Sequence, residues 1–267
     1  MNEKPSTTAA PDTRRIMEFA IDAGSILLQN GAEIYRVNDT MQRICRHFGV
    51  SGVDFFTLSN GLWASVKPGE AGQYSRVREL RLCGTSLDKV TAVNQLSREI
   101  EQEHYTLEEA EQRLADIRAM PHKRNFVLYT AAALGASCFC YIFGGSLPEM
   151  CAALLAGLLV QIYIVKAAEL RLSKITSALL GGAIVTLVCL LCHLAGLGME
   201  LGATVGGAVM PLVPGIPFIN GVRDIGNGEY LAGTVRLLDA LLVFLCIAIG
   251  VGVVFSIYHR LTGGLLL

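Results

Sequence analysis

The chain has 267 residues, 52% of them apolar, with a formal net charge of −1 and a mean hydropathy of +0.47. Such a composition is too apolar for a soluble domain of this size. The near-neutral charge argues against a nucleic-acid partner, because phosphate binding needs an excess of basic residues.

Charge is unevenly spread: residues 1–121 hold 14 Lys or Arg and 17 Asp or Glu, whereas the remainder holds 8 and 6. The pattern predicts a disordered polar N-terminus over 1–12, a cytosolic α+β domain over 13–121 and a transmembrane domain over 122–267. No apolar signal stretch opens the chain, so its N-terminus is expected to stay in the cytoplasm. Cys138, Cys140, Cys151, Cys189, Cys192 and Cys246 fall in apolar segments and read as small hydrophobic residues. Cys189 and Cys192 have a C-x-x-C spacing, but with only His193 nearby they do not make a metal or redox motif, and no cofactor is expected.

In chain order, Ile16, Phe19, Ala20, Ala23, Ile26 and Leu27 recur at helical spacing from Thr13 to Asn30, where Asn30-Gly31 stops the helix. A second helix is predicted over Ala32 to His47, with Glu33 and Arg36 on one face and close enough to pair. The runs VDFFTL and LWASV, joined through Ser59-Asn60-Gly61 and followed by Lys67-Pro68-Gly69, predict a β-hairpin. Arg76 to Cys83 adds a third strand. Leu87 to His104 reads as a helix, and Thr106-Leu-Glu-Glu109 is a capping box opening another that ends near Met120-Pro121.

The membrane half predicts five spans: Phe126–Gly144, Leu147–Val165, Ile175–Gly196, an interrupted segment from Leu201 to Ile219, and Leu231–Tyr258. Each continuous run is near the roughly 20 residues that cross a bilayer. Glycines at 157, 181, 182, 202, 206 and 207 are expected to permit close helix packing. Lys123, Arg124, Lys166, Arg171, Lys174 and Arg223 fall on one side, so the N-terminal domain is expected inside and the C-terminus outside the inner membrane. His259-Arg260 runs against that assignment. An odd span count lets a second such unit insert upside down, as an inverted repeat supplied by self-association or by a separate chain.

The fourth segment is the unusual one. In MPLVPGIPFINGVRD, Pro211, Pro214 and Pro217 interrupt an apolar run that closes on Asn220, Arg223 and Asp224. Proline has no backbone N–H and clashes with the preceding turn, so carbonyls from Ala208 to Ile216 are expected to lose intrahelical partners. Inside a bilayer such groups need protein or water, which points to a broken helix beside a polar path. The alternative is a Pro-rich connection at the membrane surface.

LLQNGAEIYRVNDTMQRICRHFGV, the VDFFTLSNG hairpin, GTSLDKV and VPGIPFINGVRD, in this order, resemble the threonine/serine exporter family, especially the large subunit of its two-chain members. The resemblance runs from about Thr13 to Val254. It implies an exporter with a cytosolic N-terminal domain, completed by a small polytopic partner subunit. It also implies a small carboxylate-bearing substrate: threonine or serine, or succinate for two-chain members.

On that basis Arg223 is the first candidate to meet a substrate carboxylate, because guanidinium binds it bidentately. Its bland reading is a topology anchor paired with Asp224. Asn220 either binds a substrate hydroxyl or amine or caps a helix. Pro211, Pro214, Gly215 and Pro217 shape the unwound backbone or serve as a hinge. Arg236 and Asp239 share a helix face and are expected to pair, with Asp239 a candidate coupling carboxylate. In the N-terminal domain Gly31, Glu33, Arg36, Thr57, Asn60 and Gly61 mark the two turns, and Asp54 joins Glu33, Thr57 and Asn60 as candidates to line a pocket. No catalytic triad, phosphate loop or zinc helix is present, so a transporter is favoured over a membrane-anchored enzyme or sensor acting through its cytosolic domain.

Overall fold

In the computed structural model, residues 13–66, 74–80, 84–102, 104–121, 123–196 and 200–262 are described. The stretch 1–12, the Lys67-Pro68-Gly69 turn and the C-terminal end of the expected third strand lie outside them. Most of the chain is helical, with one small sheet. Two units result: Met1–His122 with Ile216–Leu237, and Lys123–Gly215 with Leu238–Leu267. The N-terminal segment therefore does not form a unit by itself.

In the first unit α1 (Thr13–Gln29) and α2 (Ile34–His47) are joined through Gly31 at φ 88°, a conformation in which a Cβ is strained. The Ala32 amide donates to the Leu27 carbonyl at 3.0 Å and the Asn30 side chain to the Ile26 carbonyl at 2.7 Å, which satisfies the end of α1. Strands β1 (Val53–Leu58), β2 (Gly61–Val66) and β3 (Tyr74–Glu79) form an antiparallel sheet in that order. Leu58 pairs with Gly61, so the hairpin loop is Ser59-Asn60 and Gly61 is already a strand residue. Leu62 and Ala64 face the core, while Phe56 and Trp63 face outward against each other. The helix α3 (Leu87–Glu101) and α4 (Leu107–Ala119) complete the layer, and α4 opens on the expected capping box of Thr106 and Glu109. Arg15 ties α1 to α4 through Glu108 at 2.7 Å and Glu111 at 2.6 Å. Ile16, Leu27, Ile34, Met41, Ile44, Val93, Ile100 and Ile117 share one apolar core, which also takes in Ala232 from far along the chain.

The second unit holds α5 (Asn125–Ile142), α6 (Leu147–Glu169), α7 (Lys174–Leu194), α8 (Leu201–Val209) and a 3-10 turn (Met210–Leu212). Small residues set its helix spacing: a Cβ on Gly157 would lie 2.6 Å from Ala136, and one on Gly182 would lie 2.5 Å from the Ile247 carbonyl. Gly181 faces Leu212 and Gly207 faces Cys140 as closely, but Gly202 has open space around it and plays no such part. Buried Glu149 caps the start of α6 and accepts from the Glu200 amide at 2.7 Å, joining two chain reversals at one end of the unit.

The last two helices are α9 (Gly215–Gly226) and α10 (Tyr230–Thr262). Among the described residues four helices, α5, α6, α7 and α10, are long and apolar enough to cross a membrane, and the α8–α9 pair makes a fifth when counted as one interrupted span. At 33 residues α10 is about 50 Å long, well beyond a hydrocarbon core of about 30 Å. Its opening turns, through Leu237, belong to the first unit.

Candidate functional site

Each proline of the interrupted segment sits where its chemistry fits. Pro211 is the second residue of the 3-10 turn, among the opening positions where a missing N–H is tolerated. Pro214 clashes with a helical residue before it, and Val213 accordingly adopts φ −65°, ψ 124°. Pro217 lies in the first turn of α9. The Val213 amide still donates to Met210 at 3.1 Å and the Gly215 amide to Val213 at 2.8 Å. The helical backbone is thus interrupted at Val213-Pro214, inside the stretch from Ala208 to Ile216 where carbonyls were expected to lose partners.

After the break, α9 turns back into α10 through Gly228 at φ 88°. The two helices approach closely because Gly221 and Gly233 face each other: a Cβ on Gly221 would meet the Gly233 carbonyl at 3.1 Å. That contact brings Asp224 opposite Arg236. Arg236 Nη1 donates to Asp224 Oδ2 at 2.8 Å, and Asp224 is fully buried. The other carboxylate oxygen accepts from the Ile34 amide at 2.9 Å. Glu33 occupies the N-cap position of α2 without a capping bond of its own, so Asp224 supplies the negative charge that this helix N-terminus favours.

Three further contacts join the same surfaces. Asn220 Nδ2 donates to the Gly31 carbonyl at 2.7 Å, and Arg223 Nη1 donates to Glu33 Oε1 at 2.6 Å. Ser59 Oγ donates to the Ala232 carbonyl at 3.1 Å. Asn38 links the sheet into the cluster: it accepts from Thr57 Oγ1 at 2.6 Å and donates to Glu229 at 3.4 Å. Glu33 also lies 3.9 Å from Arg36.

The structure therefore brings Gly31, Glu33, Arg36 and Thr57 together with Asn220, Arg223, Asp224 and Arg236. It does not bring in the side chain of Asn60, whose carbonyl serves the sheet by accepting from Leu80 at 2.8 Å. Two expected pairs are replaced. Arg223 pairs with Glu33 and not with its neighbour Asp224, whose carboxylate is taken by Ile34 and Arg236. Arg236 likewise does not pair with Asp239: Asp239 lies in the second unit and is bound at 2.8 Å by Lys174 of α7. The reason is steric as well as electrostatic, since the glycine contact leaves room for Asp224 beside Arg236 while Asp239 faces α7. Pro211, Pro214 and Gly215 also belong to the second unit. Asn38, Ser59 and Glu229 were not singled out from the sequence. Asn38 lies within the stretch NGAEIYRVND, which leads into α2, but no local spacing marks Ser59 or Glu229 as members of the same cluster. Among the described residues no group of His, Cys, Asp and Glu could hold a metal ion.

Four apolar helices of spanning length, a proline-broken fifth segment and charged residues gathered at one end of the last two helices define a multi-pass helical membrane protein. The family described as "Putative threonine/serine exporter" matches residues 18–258. This chain belongs to the threonine/serine exporter family and is a membrane transporter. It is 24% identical over 243 residues to a protein of Klebsiella aerogenes named "Probable succinate transporter subunit YjjP", covering 90% of this chain and 93% of that one. A protein of Escherichia coli K12 with the same name is 26% identical over 249 residues, covering 92% and 95%. No solved structure matches the chain.

Proposed function

We propose that the chain is one subunit of an inner-membrane exporter of small carboxylate-bearing metabolites, either threonine- or serine-type amino acids or a dicarboxylate such as succinate. The observation that carries this reading is the break at Val213-Pro214 inside a segment otherwise apolar enough to span. A broken span frees backbone groups beside a path, and a helix N-terminus such as the one α9 opens at the break favours a carboxylate. Pro211, Pro214, Gly215 and Pro217 shape that backbone. Arg223, 60% exposed and held by one carboxylate, is the cation that can exchange Glu33 for a substrate carboxylate. Asn220 and the buried Asp224–Arg236 pair hold α9 on the α1–α2 turn and so act on the path indirectly.

The basic residues from Lys123 to Arg223 support placing the N-terminal unit in the cytoplasm and the C-terminus in the periplasm. An odd span count supports a small polytopic partner supplying the opposite half, as does the word "subunit" in the names of the relatives. The proton gradient or the membrane potential drives export in this scheme. The test is efflux of preloaded labelled threonine, serine and succinate from cells without their own exporters, with this chain expressed alone and with a candidate small partner. Efflux of one solute only with both chains names the substrate. No efflux of any of them, with both chains inserted, refutes the proposal.

A further inference from the structure

We propose that a cleft in the first unit, between α2, α3 and the α9–α10 turn, is a binding site for a small aliphatic dicarboxylate, separate from the broken span. The cleft has a volume of about 370 Å³ and is lined by Glu33, Arg36, Asn94, Arg98 and Asn227 among others. This is room for a ligand of fewer than about ten heavy atoms with its water, at the lower end of ordinary ligand sites.

Its cations set it apart from two other polar clefts of the unit. In the cleft of Arg15 and Arg118 every guanidinium has an ion-pair partner, Arg15 in Glu108 and Glu111, and Arg118 in Asp22, which Arg78 shares. The cleft beside Val50 contains one cation, Arg46. Here three arginines line one space, and only Arg43 is fully engaged, by Asp39 at 2.8 Å and Glu101 at 3.3 Å. Arg36 has a single long contact of 3.9 Å with Glu33, and Arg98 has no ion-pair partner among the described residues. Two planar forks with unused donors line one cleft, and each fork fits one carboxylate. The amides of Asn94 and Asn227 add donors that bind a carboxylate without adding charge.

Glu33 gives the site a consequence. Its carboxylate is shared between Arg36, which lines the cleft, and Arg223 on α9. A ligand that engages Arg36 leaves Glu33 to Arg223 and tightens the hold of the α1–α2 turn on α9. Occupancy of the cleft is thereby read by the helix that follows the break.

The test is direct binding to the full chain purified in detergent, by calorimetry, with succinate, acetate, L-threonine and the uncharged dimethyl succinate as probes. Succinate is expected to bind saturably and more tightly than the others. Arg98→Gln and Arg36→Gln should each weaken it roughly tenfold or more, the loss expected when a charged hydrogen-bonding partner is removed. Arg98→Lys, which keeps the charge but loses the fork, should fall between, and Arg46→Gln should bind as wild type does. Equal binding by wild type and both Gln variants, tighter binding of threonine than succinate, or no saturable binding overturns the inference. Efflux is scored separately in cells, so export without binding in the cleft refutes this site alone, and binding without export refutes the transport reading alone.

Discussion

Replacing Asp224 by Ala removes both acceptors from a site that excludes water. Arg236, 8% exposed, keeps its charge without a partner, and the Ile34 amide loses its bond. Breaking a buried ion pair from one side costs roughly 3–5 kcal/mol, and the orphaned amide puts the loss toward the upper end. Hydrogen exchange at the Ile34 amide should then quicken by about two to four powers of ten, at 1.36 kcal/mol per decade. The unfolding midpoint of the full chain in detergent should fall with it. Asp224→Asn keeps an acceptor for Ile34 and should be milder at that amide. The decisive variant is Asp224→Ala with Arg236→Leu, which removes both charges and should recover most of the loss, giving a large coupling energy in the double-mutant cycle. If the single variants stay within about 1 kcal/mol of wild type, or if the second substitution adds to the first, the pair is not what holds α9 on the α1–α2 turn.

Other expectations concern separate parts of the chain. Gly31→Ala places a Cβ at positive φ about 3.1 Å from Thr85 and should cost roughly 1–2 kcal/mol, read in the same unfolding assay. Pro214→Ala releases Val213 into the helix and is expected to abolish efflux while leaving membrane insertion intact; unchanged efflux would show that the break is dispensable. Burial pushes the Cys45 thiol up to about 12, so at mildly alkaline pH it should resist maleimide in the folded chain and label only after unfolding, as read by mass spectrometry. Hydrogen bonds from the Thr106 backbone and side chain hold the Glu109 carboxyl below its ordinary value of about 4.3. Its contribution to stability is therefore present above that value and is lost as pH falls through the lower folded value. Acid denaturation of Glu109→Gln should be flatter over that window than that of wild type.

Features set by neighbours in sequence were legible from the sequence. The capping box at Thr106, the hairpin, the continuous spans and the proline break follow from local spacing and backbone chemistry, and all appear within a few residues of where they were expected. The partners of the charges were not. Arg236 and Asp239 lie three apart on one helix, and local spacing alone makes them the natural pair, but Asp224 from α9 wins because Gly221 and Gly233 bring that helix into contact. Local spacing also gave no sign that 216–237 folds with the N-terminal segment. Two clues were present: Arg223, Asp224, Glu229 and Arg236 are dense for a membrane half, and the last apolar run is longer than a bilayer needs. Asp224 as the cap of α2 could not be read from the sequence, because Ile34 lies 190 residues away.

That separation also sets an order of events during synthesis. The Ile34 amide and the Gly31 carbonyl leave the ribosome long before Asp224 and Asn220 exist, 190 and 189 residues later. At about 5–20 residues per second the gap lasts on the order of 10–40 s. During that time α5, α6 and α7 must enter the bilayer while the N-terminal segment waits with its turn uncapped and the place of Ala232 in its apolar core unfilled. A chain that stalls before its last two helices carries an unfinished first unit, so quality control acting on the N-terminal segment would monitor completion of the membrane half.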